Sequence, residues 1–207
     1  MSPLFTALAF SLATFSVPSA GRALAPAPID RCEMRQSMRK LWEDHVTWTR
    51  LYIVSAAAGL PDAQPTAQRL LQNQADIGNA IKPFYGNEAG DQLTALLREH
   101  ILIAAQLIDA AKHGDNSAFE KAKTQWYTNA DEIADFLHKA NPKNWSRADL
   151  RAMMKSHLDL TLKEAAARLN GNYAGDISAY DQVHAEILHM ADMLSDGIIK
   201  QFPKAFD

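Results

Sequence analysis

The chain has 207 residues, 47 % of them hydrophobic, a formal net charge of −3 and a sequence pI near 6.2. That is enough apolar material for one substantial core, and the absence of a basic footprint argues against nucleic acid as the main partner. Cys32 is the single cysteine, which excludes an internal disulfide and any CxxC redox or zinc motif.

The opening stretch, MSPLFTALAFSLATFSVPSAGRALAPAP, carries an apolar run from Leu4 to Val17, then small residues and a Pro-rich segment. This is the pattern of a secretory signal peptide, although no Lys or Arg precedes the run. Cleavage is expected near Ala20 or Ala25, which makes residues 1–25 a signal peptide and 26–34 a linker. The protein is therefore expected to be exported, periplasmic or extracellular. The run is short for a membrane anchor, and no stable membrane span is expected after processing.

From about residue 34 the apolar residues recur with helical period nearly everywhere, and strand-like alternation is absent. The expected fold class is all-α: a six-helix bundle made of three tandem helical hairpins, with four-helix-bundle-like packing, in one domain over residues 35–203, and a tail at 204–207. Gly59 and Pro61 end the first helix, and Pro65 can occupy the first turn of the second. YGNEAG closes that one and KHGDN closes the third. Ser117-x-x-Glu120 reads as a capping box for the fourth helix. NPKNW breaks it, Ser146 can cap the fifth, LNGNYAGD precedes the sixth, and Pro203 stops it.

The wording repeats. Odd-numbered helices contain DHVTWTRLYIVSA, EHILIAAQLIDAA and SHLDLTLKEAAAR, which put His45, His100 and His157 in one column at nearly equal spacing. Even-numbered helices align on Ile77, Ile133 and Leu194, each followed by a small residue (Gly78, Ala134, Ser195) and then by Asn79, Asp135 and Asp196. That alignment sets Asn73 beside Asn129. One hairpin cannot bury its apolar face alone, whereas three can by stacking or by closing on one another.

Each column histidine lies on an inward stripe. For the first helix this is Leu41, His45, Trp48, Tyr52 and Ser55; for the fifth, Leu150, Met154, His157 and Thr161; a sixth-helix stripe carries Tyr180, His184 and Ile187. A buried polar group without a partner costs about 1–3 kcal/mol, so these groups must satisfy one another, hold water or hold a ligand. Neutral imidazole is a common metal ligand, and three suit zinc or copper. Around a pseudo-threefold axis His45, His100 and His157 would make an open metal site, with Asn73, Asn129, His184, Trp48, Tyr52 and Thr161 as further ligands or supporting groups. Stacked as an open solenoid, neighbouring histidines would lie about 8–10 Å apart and could not share an ion. The partner is then a metal ion or a small molecule.

The phrases LWEDHVTWTRLYIVSA, RLLQNQADIGNAIKPFYG, WYTNADEIADFL and GIIKQFP resemble a family of small bacterial all-helical proteins of the bacillus type, over Leu41 to Pro203. Members of that family lack an established function; some carry the labels glycosyltransferase or acetylglutamate kinase. The resemblance implies an all-helical fold. Those labels find no support in this chain, which has no βαβ pattern and no Gly-rich phosphate loop.

Three functions follow from the residues. The first is an exported protein binding a metal ion or small ligand at a histidine-lined core site. The second is a non-enzymatic structural or interaction protein of the cell envelope whose histidines are purely structural. The third is a metal-dependent hydrolase or oxidase using the same triad. No Ser–His–acid set, paired-carboxylate signature or HExxH makes an enzyme more specific.

Overall fold

A computed structural model describes residues 29–207; the signal peptide expected over residues 1–25 lies outside them. The elements in order are α1 (Arg31–Ala58), α2 (Ala63–His113), α3 (Asn116–Ala140), α4 (Arg147–Leu169) and α5 (Tyr173–Gln201), then a 3₁₀ turn over Pro203–Ala205. Among the described residues the only β-type pairing is an isolated bridge between Ile29 and Phe206. It clips the start of the described chain to its end, with Ile29 N–H donating to the Ala205 carbonyl and Asp207 N–H to the Ile29 carbonyl. No helix among them is long and apolar enough to cross a membrane.

Among the described residues the fold is all-helical, with five helices rather than six. The segments read as the second and third helices are one element, α2. Only Gly86 within it leaves helical backbone, at φ 84° and ψ 168°, a combination that is essentially glycine's alone. Pro83 has already removed one N–H from the turn before it. The break is thus a single residue where YGNEAG reads as a loop. Residues 63–85 and 87–113 fold back on each other, so closely that a Cβ on Gly78 would lie 2.5 Å from the Gly90 carbonyl oxygen.

Three other ends share one device. At Gly59, Gly114 and Gly171 the backbone turns left-handed, with φ of 67°, 70° and 72°. In each case the glycine N–H bonds back to one carbonyl and the next residue's N–H to the carbonyl before it, as in Leu60 N–H to Ser55, Asp115 N–H to Ala110 and Asn172 N–H to Ala167. This is the Schellman closure. Each of these glycines follows a column histidine at the same sequence offset: Gly59 after His45, Gly114 after His100 and Gly171 after His157. Ser146 does cap α4, accepting from Asp149 N–H at 3.4 Å. The capping box at Ser117 is not formed: α3 starts earlier, where Asp115 accepts from Ala118 N–H at 3.0 Å.

The helices close into a ring. α1 packs on α2 and α5, α3 joins α2 to α4, and α4 packs on α5; α4 also touches α1 and α2 across the middle. Ile77, Ile133, Leu158, Ile187 and Ile198 are almost completely buried in the shared core. Ion pairs rim it: Arg35 and Arg39 reach Asp196 and Asp192 across α1 and α5, while Arg147 and Arg151 both bond Asp135 across α4 and α3.

Candidate functional site

His45 on α1, His100 on the second arm of α2 and His157 on α4 are 3 %, 3 % and 5 % exposed. All three line one cavity of about 30 Å³, more than the roughly 10–15 Å³ a water molecule needs. The closed ring, rather than an open stack, makes this convergence possible. The His45 and His157 rings are 5.8 Å apart between centroids, and the His100 ring lies 5.1 Å from that of Trp126. Trp126, Thr49, Tyr52 and Thr161 share the lining with aliphatic side chains such as Ile53 and Leu107.

Behind each ring stands an oxygen-bearing side chain at one fixed offset along the sequence: Gln74 for His45, Asn129 for His100 and Glu186 for His157. His100 Nδ1–H donates to Asn129 Oδ1 at 2.9 Å, and the amide is fixed because its Nδ2 donates to the Leu96 carbonyl at 3.2 Å. His157 Nδ1–H donates to Glu186 Oε2 at 3.1 Å. Gln74 is the neighbour that acts on His45; His45 Nδ1 and Gln74 Oε1 are both buried and both short of a formed hydrogen bond. Gln74 is held from its other end, where its Nε2 donates to the Leu70 carbonyl at 2.8 Å and to Asn73 Oδ1 at 3.1 Å. A ring whose Nδ1 carries the proton presents Nε2 as a lone pair. Among the described residues none of the three Nε2 atoms has a hydrogen-bond partner, and all three residues line the cavity.

At His45 and His100 the electrostatics keep that lone pair available. Burial holds the His45 pKa well below the usual histidine value, and repulsion from His157 and His100 adds to it against the pull of Gln74. Burial likewise lowers His100 to about 3, with His157 contributing and Asn129 opposing. Glu186 differs from the two amides in being a carboxylate. Among the described residues no Lys or Arg pairs with it, and its Oε1 is buried without a partner.

The remaining residues read from sequence divide. Tyr52 and Thr161 line the cavity, Thr161 Oγ1 donating to the His157 carbonyl at 2.8 Å. Asn129 orients His100. Asn73 does not reach the cavity; its Nδ2 donates to the Leu41 carbonyl at 3.0 Å, one turn before His45. Trp48 is not on the inward stripe and instead carries the Arg69 guanidinium 5.2 Å over its ring; Trp42 takes the buried position. His184 is a correction by one residue of register: Val183 faces the core, and His184 sits at the surface with Nε2 2.9 Å from Glu43 Oε1.

Two supports of the site, Gln74 and Glu186, are not found by aligning the even helices on Ile77, Ile133 and Leu194. Following the histidine spacing instead aligns Gln74, Asn129 and Glu186. A second buried group also escapes sequence reading. Arg50 bonds Glu164 at 2.8 Å and Asp176 at 2.7 Å, with both carboxylates 1 % exposed; Arg168 reaches Asp176 at 3.5 Å, and Arg50 lies 4.8 Å over the Tyr180 ring. Burial pushes the Glu164 carboxyl up to about 7 against the pull of Arg50.

As the rings stand, no group of three or more His, Cys, Asp or Glu among the described residues has metal-holding geometry. No family model matches the chain, and comparison with curated proteins and with solved structures finds no match.

Proposed function

We propose that this is an exported protein that binds one transition-metal ion, zinc or copper, through the Nε2 atoms of His45, His100 and His157. The single observation that carries the reading is the arrangement of three buried imidazoles around one cavity, with the Nδ1–H groups of His100 and His157 committed to oxygen acceptors. Such outer partners fix the tautomer and aim the ring in metal sites. Three imidazoles on one ion, with bonds of about 2.0–2.1 Å, put ring centroids about 5–5.5 Å apart. The His45–His157 separation of 5.8 Å is close to that, and His100 has to draw in to complete the set. The cavity volume favours an ion over a metabolite. The Glu186 carboxylate, without a cationic side chain to balance it, favours a cation over an anion as the first guest. Export rests on the apolar run Leu4–Val17.

The same reading takes the bundle as three equivalent hairpins, with α2 supplying one helix to the first and one to the second. The constant offsets from each histidine to its closing glycine, and to the side chain behind its ring, support it.

Elemental analysis of the purified mature protein tests the metal. About one zinc or copper per chain is expected, lost in His100→Ala and in His157→Ala with the helical circular dichroism retained. Metal content that is the same in folded variants overturns the proposal. It would leave the reading in which the histidines only knit the core, favoured by the firm two-ended hold of Asn129 on His100 and Leu96.

A further inference from the structure

We propose that the cavity is entered from the glycine-turn end of the bundle, through the layer of Ile53, Ile108 and Ala165, and that Ala165 is the gap in that layer. The inference rests on the proposed histidine site and adds the route by which an ion reaches it.

The constant offset from each histidine to its closing glycine also stacks the residues between them in layers. Four residues beyond the histidines stand Thr49, Ala104 and Thr161, and eight beyond stand Ile53, Ile108 and Ala165. All six line the cavity. The cavity therefore extends from the histidine layer toward the turns at Gly59, Gly114 and Gly171, and the short side chains of the middle layer leave its space.

The two ends are closed differently. Toward the chain termini, Trp42, Leu97 and Met154 stand three residues before the histidines, and Met38, Leu93 and Leu150 seven before. Each of these is buried and belongs to the main core, so two full layers block that end. Toward the turns, Ile53, Ile108 and Ala165 form a buried cluster of their own, with the partly buried Tyr52 and Ala56 packed against it. Ala56, Ala111 and Arg168, next along the same three helices, are already partly exposed. One buried layer thus separates the cavity from solvent at this end, and its third member carries a methyl group where the other two carry sec-butyl groups.

The ties between the helices locate the gap further. Lys112 Nζ donates to the Ala56 carbonyl at 2.6 Å, joining α2 to α1. Arg50 bonds Glu164 at 2.8 Å, joining α1 to α4 beside Ala165. Arg168 is turned to α5, where it bonds Asp176 at 3.5 Å and lies 4.8 Å over the Tyr173 ring. The seam between α2 and α4, where Ile108 and Ala165 stand, is left as the side that yields.

Copper(II) is the probe, mixed with the mature protein by stopped flow. Quenching of tryptophan fluorescence is the signal, since Trp42 and Trp126 pack on His45 and His100; excess EDTA drives release. Ala165→Ile completes the layer. It is expected to slow uptake and release alike by about tenfold, equivalent to about 1.4 kcal/mol on the barrier, with the amount bound at equilibrium unchanged. Ile108→Ala widens the layer and is expected to speed both. Leu97→Ala, at the closed end, is expected to change neither, and circular dichroism confirms that each variant folds. Protein that binds no copper through the histidines, judged against His100→Ala, overturns the proposed site and this inference with it. Copper exchanged at wild-type rates in folded Ala165→Ile overturns this inference alone. So does lost occupancy with unslowed release, because the new side chain then fills the cavity instead of closing its mouth, and so does faster exchange in Leu97→Ala than in Ile108→Ala. Where Ala165→Ile does not fold, Ile108→Ala decides, and unchanged rates there overturn the route.

Discussion

Asn129 holds His100 from the neighbouring helix: its carbonyl oxygen accepts from the ring at 2.9 Å while its amide donates to the Leu96 carbonyl at 3.2 Å. One side chain thereby fixes the ring's tautomer and ties α3 to the turn that carries the ring. Asn129→Ala leaves a buried Nδ1–H and a carbonyl without that partner. A loss of about 2–3 kcal/mol in unfolding free energy by denaturant titration is expected, with metal affinity down about 10–100-fold. Asn129→Asp keeps the acceptor for His100 and loses the donor to Leu96, so its metal affinity should fall less.

Acid should weaken the fold. His45 and His100 are held neutral by burial, His100 down to about 3, whereas in the unfolded chain they take up protons below about 6.5. Between those values the unfolded state binds more protons, so stability rises with pH and falls on acidification. Each fully excluded proton contributes at most about 1.4 kcal/mol per pH unit. Denaturation midpoints measured from pH 7.5 to 4.5 should decline steadily, and more shallowly in His100→Phe.

Glu164 acts with the opposite sign. Its carboxyl titrates near 7 in the fold against a reference of 4.5. The folded state therefore holds the extra proton between those values, and its stability falls as pH rises through 7. Glu164→Gln removes that dependence. Relative to wild type the variant should gain about 1–3 kcal/mol on going from pH 5 to pH 8, read by urea unfolding at both. A difference that does not change with pH would refute the assignment.

Two glycines in α2 should fail for different reasons. Gly86 has no atom within 4 Å of where a Cβ would sit, so Gly86→Ala suffers backbone strain alone, about 1–3 kcal/mol. Gly78→Ala keeps good helical backbone but drives its methyl against the Gly90 carbonyl and Thr94, forcing the arms apart. The first should lower the melting temperature with the packing retained. The second should also change near-ultraviolet circular dichroism, as the core repacks around α2.

The histidine column is legible in the sequence because each ring sits in a similar phrase on an inward stripe, and helical period alone puts such positions in the core. The all-helical class follows from the same period. Gly86 is not legible: a one-residue reversal between two arms in contact leaves no polar loop, and YGNEAG reads as an ordinary connection. Glu186 escapes because Leu194 stands further beyond Ile133 than His157 stands beyond His100, so aligning α5 on Leu194 shifts that helix off the histidine spacing. His184 is turned inward by reading a stripe one residue out of register with Val183. The Arg50–Glu164–Asp176 group lies beyond sequence reading because three charges on α1, α4 and α5 look like solvated faces until the ring of helices closes over them.

The clip between Ile29 and Phe206 puts both termini of the described bundle on one rim, while Gly59, Gly114 and Gly171 turn the chain at the opposite rim. A short linker could therefore join residues 29 and 207 into a circle, and the circle could be cut at any of those three glycine turns. Every such permutant should retain the cavity between His45, His100 and His157, because the rings lie mid-length on their helices, away from both the seam and the cuts.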